Sequence, residues 1–173
     1  IGWSLGGATV VLANGGSAST IHVLGSDHLP LQGLESVAFA LETLSLSPAH
    51  PDTGGIYLAG LEAGRVQLQH HDVVSSEVPV PDQVWGLKRS TSFPTAGATS
   101  TGMSIVDQGG QAFLLVYSGA TLRTVDGTLS VVEEITLSTG EPSDIAQKEG
   151  TVWLAYSDRL ITGLFDGSLA EMT

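Results

Sequence analysis

Four times along the chain, a short apolar run leads into glycine and then into a second, richer apolar run. The copies are Trp3-Ser4-Leu5-Gly6-Gly7 before residues 8–13, and Leu44-Ser45-Leu46 with Gly54-Gly55 before 56–59. Next come Met103-Ser104-Ile105-Val106 with Gly109-Gly110 before 112–117, and Asp144-Ile145-Ala146-Gln147 with Gly150 before 151–156. A third run follows each, at 20–24, 65–69, 121–125 and 160–165, and an Asp stands close behind it, at Asp27, Asp72, Asp126 and Asp166. The repeat glycines at 7, 55, 110 and 150 are 48, 55 and 40 residues apart. Val, Ile, Thr and Leu alternate with polar residues in these runs, and turn residues punctuate them, a pattern that favours short antiparallel strands over helices. A small sheet built from one copy cannot bury both of its faces, whereas sheets stacked around an axis bury them against one another. The expected fold is therefore all-β: antiparallel four-stranded repeats forming a β-propeller of about four blades, as a single domain over residues 1–173 or as part of a larger propeller. The uneven spacing, with neither a GH nor a WD pair, argues against a strict WD40 array and keeps a β-sandwich as an alternative.

The second strand of each copy is the most apolar, as expected of a central strand packed on both faces. Fourth strands are expected around 37–41, 77–87 and 129–137, and residues 34–46 read as strand. The last copy has only 170–173 left, so its blade is incomplete and its edge open to pairing. Continuation into a larger propeller, closure as a four-bladed ring, or a strand from a partner chain would each complete it. Residues 88–102, rich in Ser, Thr, Gly and Pro, read as a flexible surface loop.

Composition narrows the function classes. The formal charge is −12, from 6 Lys and Arg against 18 Asp and Glu, which opposes binding to nucleic acid phosphates. No apolar run approaches the roughly 20 residues of a membrane helix. The chain lacks Cys, which excludes disulfides and thiolate chemistry and fits an extracellular or periplasmic protein. Opening at Ile1 without Met, it reads as a processed protein or a piece of a longer one.

The chemistry-bearing residues are few. In His70-His71-Asp72, strand alternation puts His70 and Asp72 on one face, where imidazole and carboxylate would supply two metal ligands; the alternative is a solvent-facing group at a strand end. Glu133-Glu134 offers oxygen ligands for calcium, without the spacing of a calcium loop, and reads otherwise as a solvated pair. The recurring Asp reads as turn chemistry. Trp3, Trp85 and Trp153 read as core or inter-blade packing. In a propeller the turns between second and third strands share one rim, here residues 14–19, 61–64, 118–120 and 157–159. Its charged members, Glu62, Arg65, Asp158 and Arg159, are the expected ligand-binding residues.

Two segments carry a resemblance. Residues 141–146, Glu-Pro-Ser-Asp-Ile-Ala, with Gly150-Thr151-Val152-Trp153-Leu154-Ala155-Tyr156-Ser157-Asp158, and residues 47–60, Ser-Pro-Ala-His-Pro-Asp-Thr-Gly-Gly-Ile-Tyr-Leu-Ala-Gly, resemble blades of β-propeller phytases and related secreted propellers. The resemblance implies acidic clusters holding calcium at the channel and Lys or Arg binding phosphate. Asp158 matches the strand-end acid, while Tyr156 and Ser157 replace further acids and neither Lys88 nor Lys148 lies in a matching motif. No catalytic residue and no cofactor follow from the sequence, which favours a non-enzymatic binding or scaffold module with a protein partner or the rest of a larger propeller. The alternatives are a calcium-dependent phytase-like or lactonase-like hydrolase and a structural β-sandwich.

Overall fold

The computed structural model describes residues 2–5, 8–14, 19–24, 30–33, 40–47, 55–74, 84–95, 97–108 and 111–165. They form four antiparallel sheets, each a simple meander in chain order. The first holds β1 (Gly2–Leu5), β2 (Ala8–Asn14), β3 (Ser19–Leu24) and β4 (Pro30–Gly33). The second holds β5 (Ala40–Ser47), β6 (Gly55–Glu62), β7 (Arg65–Val74) and β8 (Val84–Pro94). The third holds β9 (Thr101–Gln108), β10 (Gln111–Ser118), β11 (Thr121–Val125) and β12 (Val131–Thr136). The fourth has three strands among the described residues, β13 (Asp144–Lys148), β14 (Thr151–Ala155) and β15 (Leu160–Leu164). β9 lies beside β5 on one side and β13 on the other, so the leading strands of the second, third and fourth sheets are neighbours, the arrangement of a β-propeller.

Alternation along β10 shows how one sheet serves two cores. Leu114 and Val116 enter a cluster with Tyr57, Val66, Leu68 and Phe93 of the second sheet. Leu115 and Tyr117 point the other way, into a cluster with Ile145, Val152, Leu154 and Ile161 of the fourth. Successive strand side chains point to opposite faces, so a strand sandwiched between two sheets must be apolar at every position. This is the physical origin of the rich second run in the repeat.

The strand limits correct several expectations. The fourth strand of the first sheet is Pro30–Gly33 rather than 37–41, and residues 40–41 already belong to β5. Proline at the start of an edge strand costs no ladder hydrogen bond, so it does not end the sheet as it would in a central strand. Residues 34–39 and 77–83 lie outside the described residues, as do Asp27, Asp166 and 170–173. β8 runs Val84–Pro94, so most of the expected 88–102 loop is strand, and only 95–100 connects it to β9. Lys88, Arg89 and Ser90 are exposed on this edge strand, while Phe93 is buried. An edge strand with one wet face tolerates the composition of a loop. β7 also extends to Val74, beyond the expected 65–69, carrying His70-His71-Asp72 inside the strand.

Two glycines set the turns. The hairpin between β6 and β7 has Ala63 at φ 50 and Gly64 at φ 74, positive at both central positions as a type I′ turn requires. Glu149 and Gly150, at φ 53 and 79, repeat the geometry between β13 and β14.

Candidate functional site

In an antiparallel meander, the turn joining the second and third strands and the connection leading to the next sheet emerge at the same end. On the second, third and fourth sheets this end is tied by hydrogen bonds. The Gly64 carbonyl accepts from the Thr95 backbone N–H at 3.0 Å and from Thr95 Oγ1 at 2.9 Å, fixing the second-sheet turn to the connection that follows. Leu137 N–H donates to the Ala120 carbonyl at 2.7 Å, and Ser143 N–H to the Ala155 carbonyl at 2.7 Å.

Glu141 ties two connections together. Its Oε1 accepts from the backbone N–H groups of Thr99 (3.0 Å) and Ser100 (2.8 Å) and from Ser100 Oγ (3.0 Å). Partial burial pushes its carboxyl up, but these bonds outweigh that and hold it below its ordinary value of 4.5. The segment linking the second and third sheets is thereby held to the segment linking the third and fourth.

Arg159 faces three ways. It pairs with Asp158 (Nη1–Oδ2 3.1 Å), donates to the Thr139 carbonyl (3.2 Å), and lies 5.1 Å from the Tyr156 ring centroid. Tyr156 OH and Thr139 Oγ1 share a hydrogen bond of 2.5 Å. Arg65 donates to Ser92, at 3.0 Å to Oγ and 2.9 Å to the carbonyl. Glu62 is in register with Arg65 across the turn and is exposed. All four expected ligand-binding residues therefore lie at this rim, on exposed positions, with the third sheet between the pair on the second and the pair on the fourth.

A buried arginine stands beneath the rim. Arg123 on β11 donates to Glu134 Oε2 (2.7 Å), Ser118 Oγ (2.8 Å) and the Pro94 carbonyl (3.2 Å), with its guanidinium 5.4 Å from the Phe93 ring centroid. It joins the third sheet to the second. Glu134, read from sequence as a possible calcium ligand, is its ion-pair partner. Sequence reasoning missed Arg123, Glu141, Thr99 and Ser100. For Glu141, Thr99 and Ser100 the one signal was position: 97–102 and 138–142 are Ser-, Thr- and Gly-bearing segments at equivalent places in consecutive repeats.

The histidines are not at a solvent-facing strand end. His70 is buried and stacks on Tyr57, with centroids 4.4 Å apart and planes 8° from parallel, on the face that packs against the third sheet. His71, also buried, donates from Nε2 to Gln69 Oε1, 2.9 Å away, since that oxygen only accepts, and its Nδ1 has no hydrogen-bond partner among the described residues. Burial and the neighbouring His70 lower the His71 pKa below 6.5. Asp72 follows on β7 in register with Gly86. Among the described residues, no group of three or more His, Asp or Glu is placed to hold a metal.

At the opposite end, Asp126 is a turn residue. Its Oδ1 accepts from Thr128 N–H (2.8 Å), Thr128 Oγ1 (2.7 Å) and Ser130 N–H (3.0 Å), while Arg89 of β8 reaches the Gly127 carbonyl at 2.8 Å. The turn reading of the recurring Asp holds at this position. Trp153 is half-buried on β14.

Among known proteins, no family model matches the chain and no curated protein matches it. Solved structures do. The Cps50 (Swd1) β-propeller domain of Myceliophteria thermophila aligns with a TM-score of 0.63 at 10% identity, over 93% of this chain and 49% of that one. A protein of unknown function from Bacteroides caccae aligns with a TM-score of 0.50 at 10% identity, over 96% of this chain and 57% of that one. The chain thus spans about half the length of the structures it matches. The likeness and the sheet arrangement agree on a β-propeller fold. No helix among the described residues is long and apolar enough to cross a membrane.

Proposed function

We propose that the chain is a non-enzymatic binding or scaffold module that presents its turn-bearing rim to a protein partner, as part of a larger chain or assembly. The observation that supports this most is the construction of the rim. Glu141 locks successive connections together, while Glu62, Arg65, Asp158 and Arg159 remain exposed on that braced platform. A rigid scaffold lowers the ordering cost of association, and exposed charges of both signs select a partner by complementarity. Arg159 beside Tyr156 adds a planar cation and an aromatic ring, side-chain types enriched where interfaces concentrate their binding energy.

The test compares wild type with an Arg65→Glu/Arg159→Glu double variant as immobilised bait in an extract of the source organism. A partner held by the wild type and lost by the double variant, with both proteins equally folded, is the expected result. Calcium-dependent hydrolysis of a phosphomonoester or a lactone by the wild type would replace this reading with the hydrolase.

A further inference from the structure

The closing strands of the sheets are not guarded alike. β4 carries Pro30, and β8 carries Lys88, Arg89 and Pro94, residue types that deter a strand edge from pairing with another chain. β12, which closes the third sheet, reads Val-Val-Glu-Glu-Ile-Thr. It has no Lys, Arg or Pro, and Val131, Val132, Ile135 and Thr136 are β-branched, the type that favours a pleated strand. β12 pairs with β11, and among the described residues no strand lies on its other side. None of its side chains is buried; Val131 is 42% exposed and Val132 55%. Backbone bonds hold both ends of the strand, from Asp126 N–H to the Ser130 carbonyl at 3.0 Å and from Leu137 N–H to the Ala120 carbonyl at 2.7 Å. The register skips Val132, and beyond this bulge residues 133–136 pair regularly with 121–124. The outward N–H and C=O groups of β12 therefore form a fixed edge, ready for a further strand.

We infer that β12 is a docking edge for an extended cationic segment of a partner protein, which adds to the third sheet as a fifth strand. Charge selects that occupant. Glu133 stands opposite Thr124 and Glu134 opposite Arg123, so the two carboxylates lie on opposite faces of the sheet. Glu134 keeps 53% of its side chain exposed while paired with Arg123. On an added antiparallel strand two successive residues face these positions, and Lys or Arg at both meets an anion on each face. The net charge of −12 draws such a segment in. The same charges oppose a second copy, because antiparallel pairing of two β12 edges about this point sets Glu133 against Glu134 in both directions. Apolar residues opposite Val131, Val132 and Ile135 complete the pattern. The inference rests on the third sheet and stands apart from the binding role of the rim.

The probe is a Thr-Ile-Lys-Lys-Val-Val-Thr peptide, labelled at its N-terminus and amidated, read by fluorescence anisotropy as the purified chain is added to about 1 mM. Saturable binding is expected, weakening about tenfold as salt rises from about 50 to about 500 mM. N-methylation of one alternate set of peptide nitrogens should abolish binding and of the other set should leave it, because only one edge of an added strand bonds to β12. Val132→Lys/Thr136→Lys should weaken binding about tenfold without changing the circular dichroism spectrum, since both side chains are exposed. No saturable binding overturns the inference, and so does equal binding of the two methylated peptides or indifference to the double substitution. A dimer of the chain that the same substitutions dissolve assigns the edge to a second copy and also overturns it. If the double variant misfolds, the two methylated peptides on the wild type decide. Arg65→Glu/Arg159→Glu leaves peptide binding in place, so the two readings fail separately.

Discussion

Gly102→Ala is a substitution for which backbone and packing predict opposite signs. Gly102 lies in β9 directly opposite Tyr117 of β10, and the Tyr117 ring lies across it. A Cβ at this position would overlap Tyr117 Cε1 and stand 2.8 Å from Cζ and 2.9 Å from the hydroxyl oxygen, on the ring itself. By backbone entropy alone, replacing glycine inside a strand by alanine should stabilise by about 0.5–1 kcal/mol. The contact acts the other way. Ordinary carbon contacts begin near 3.5 Å, so the ring must move by more than about an ångström. Tyr117 is almost fully buried beside Leu115, Leu122 and Ile145, which leaves it little room to do so. Overpacking of this kind costs about 1–3 kcal/mol, and complete loss of the ring's packing would cost about 3–5 kcal/mol. The expected net destabilisation is about 2 kcal/mol, a fall in melting temperature of about 4–8 °C for a chain of this size. Urea unfolding of wild type, Gly102→Ala, Tyr117→Leu and the double variant completes a cycle. With the ring removed, Gly102→Ala should become neutral or slightly stabilising, a coupling of about 2 kcal/mol. A stabilising Gly102→Ala in the wild type, or a penalty that persists in Tyr117→Leu, would refute the close-approach argument.

Other perturbations test the remaining contacts. Arg123→Ala should destabilise by about 2–3 kcal/mol, because it removes packing on Phe93 and leaves the buried Ser118 hydroxyl without that donor; Glu134→Gln, at the exposed end of the pair, should cost under about 1 kcal/mol. The reverse order in urea midpoints would contradict the geometry. Because the folded pKa of His71 lies below 6.5, the unfolded chain binds the proton first. Stability is therefore full above pH 6.5 and declines as pH falls from 6.5 through the lowered folded value, and His71→Gln should flatten that part of the profile. Glu141 acts lower on the scale: its contribution is present above pH 4.5 and lost as pH falls through its lowered folded value, so Glu141→Gln should weaken the acid limb of a melting-temperature series. Ala63→Asn places the preferred residue at a positive φ and should stabilise by about 0.5–1 kcal/mol, measured by thermal unfolding; Gly64→Ala, at φ 74, should destabilise by about 1–2 kcal/mol.

Much of the fold was legible along the chain. The run 113–117 is apolar because it serves two cores, and similar apolar runs recur once in each repeat of the sequence, so counting them counts the sheets. The hairpin at 63–64 was legible for a similar reason, since its conformation is local and its Gly advertises it. Residues 88–94 were misread, because Ser and Thr on the wet face of an edge strand have the composition of a loop, and only pairing with β7 makes them a strand. The candidate rim divides in the same way. Glu62, Arg65, Asp158 and Arg159 follow from the turns beside them. The bridge from Glu141 to Thr99 and Ser100 joins residues about forty positions apart, and Arg123 finds Pro94 and Phe93 across a sheet interface. Alternation, turn residues and charge are properties of neighbours in sequence, and the chain by itself determined what depends on them. Which polar groups meet across sheets, and which histidines lose water, depends on distant segments brought together by packing, and only the tertiary structure decided it.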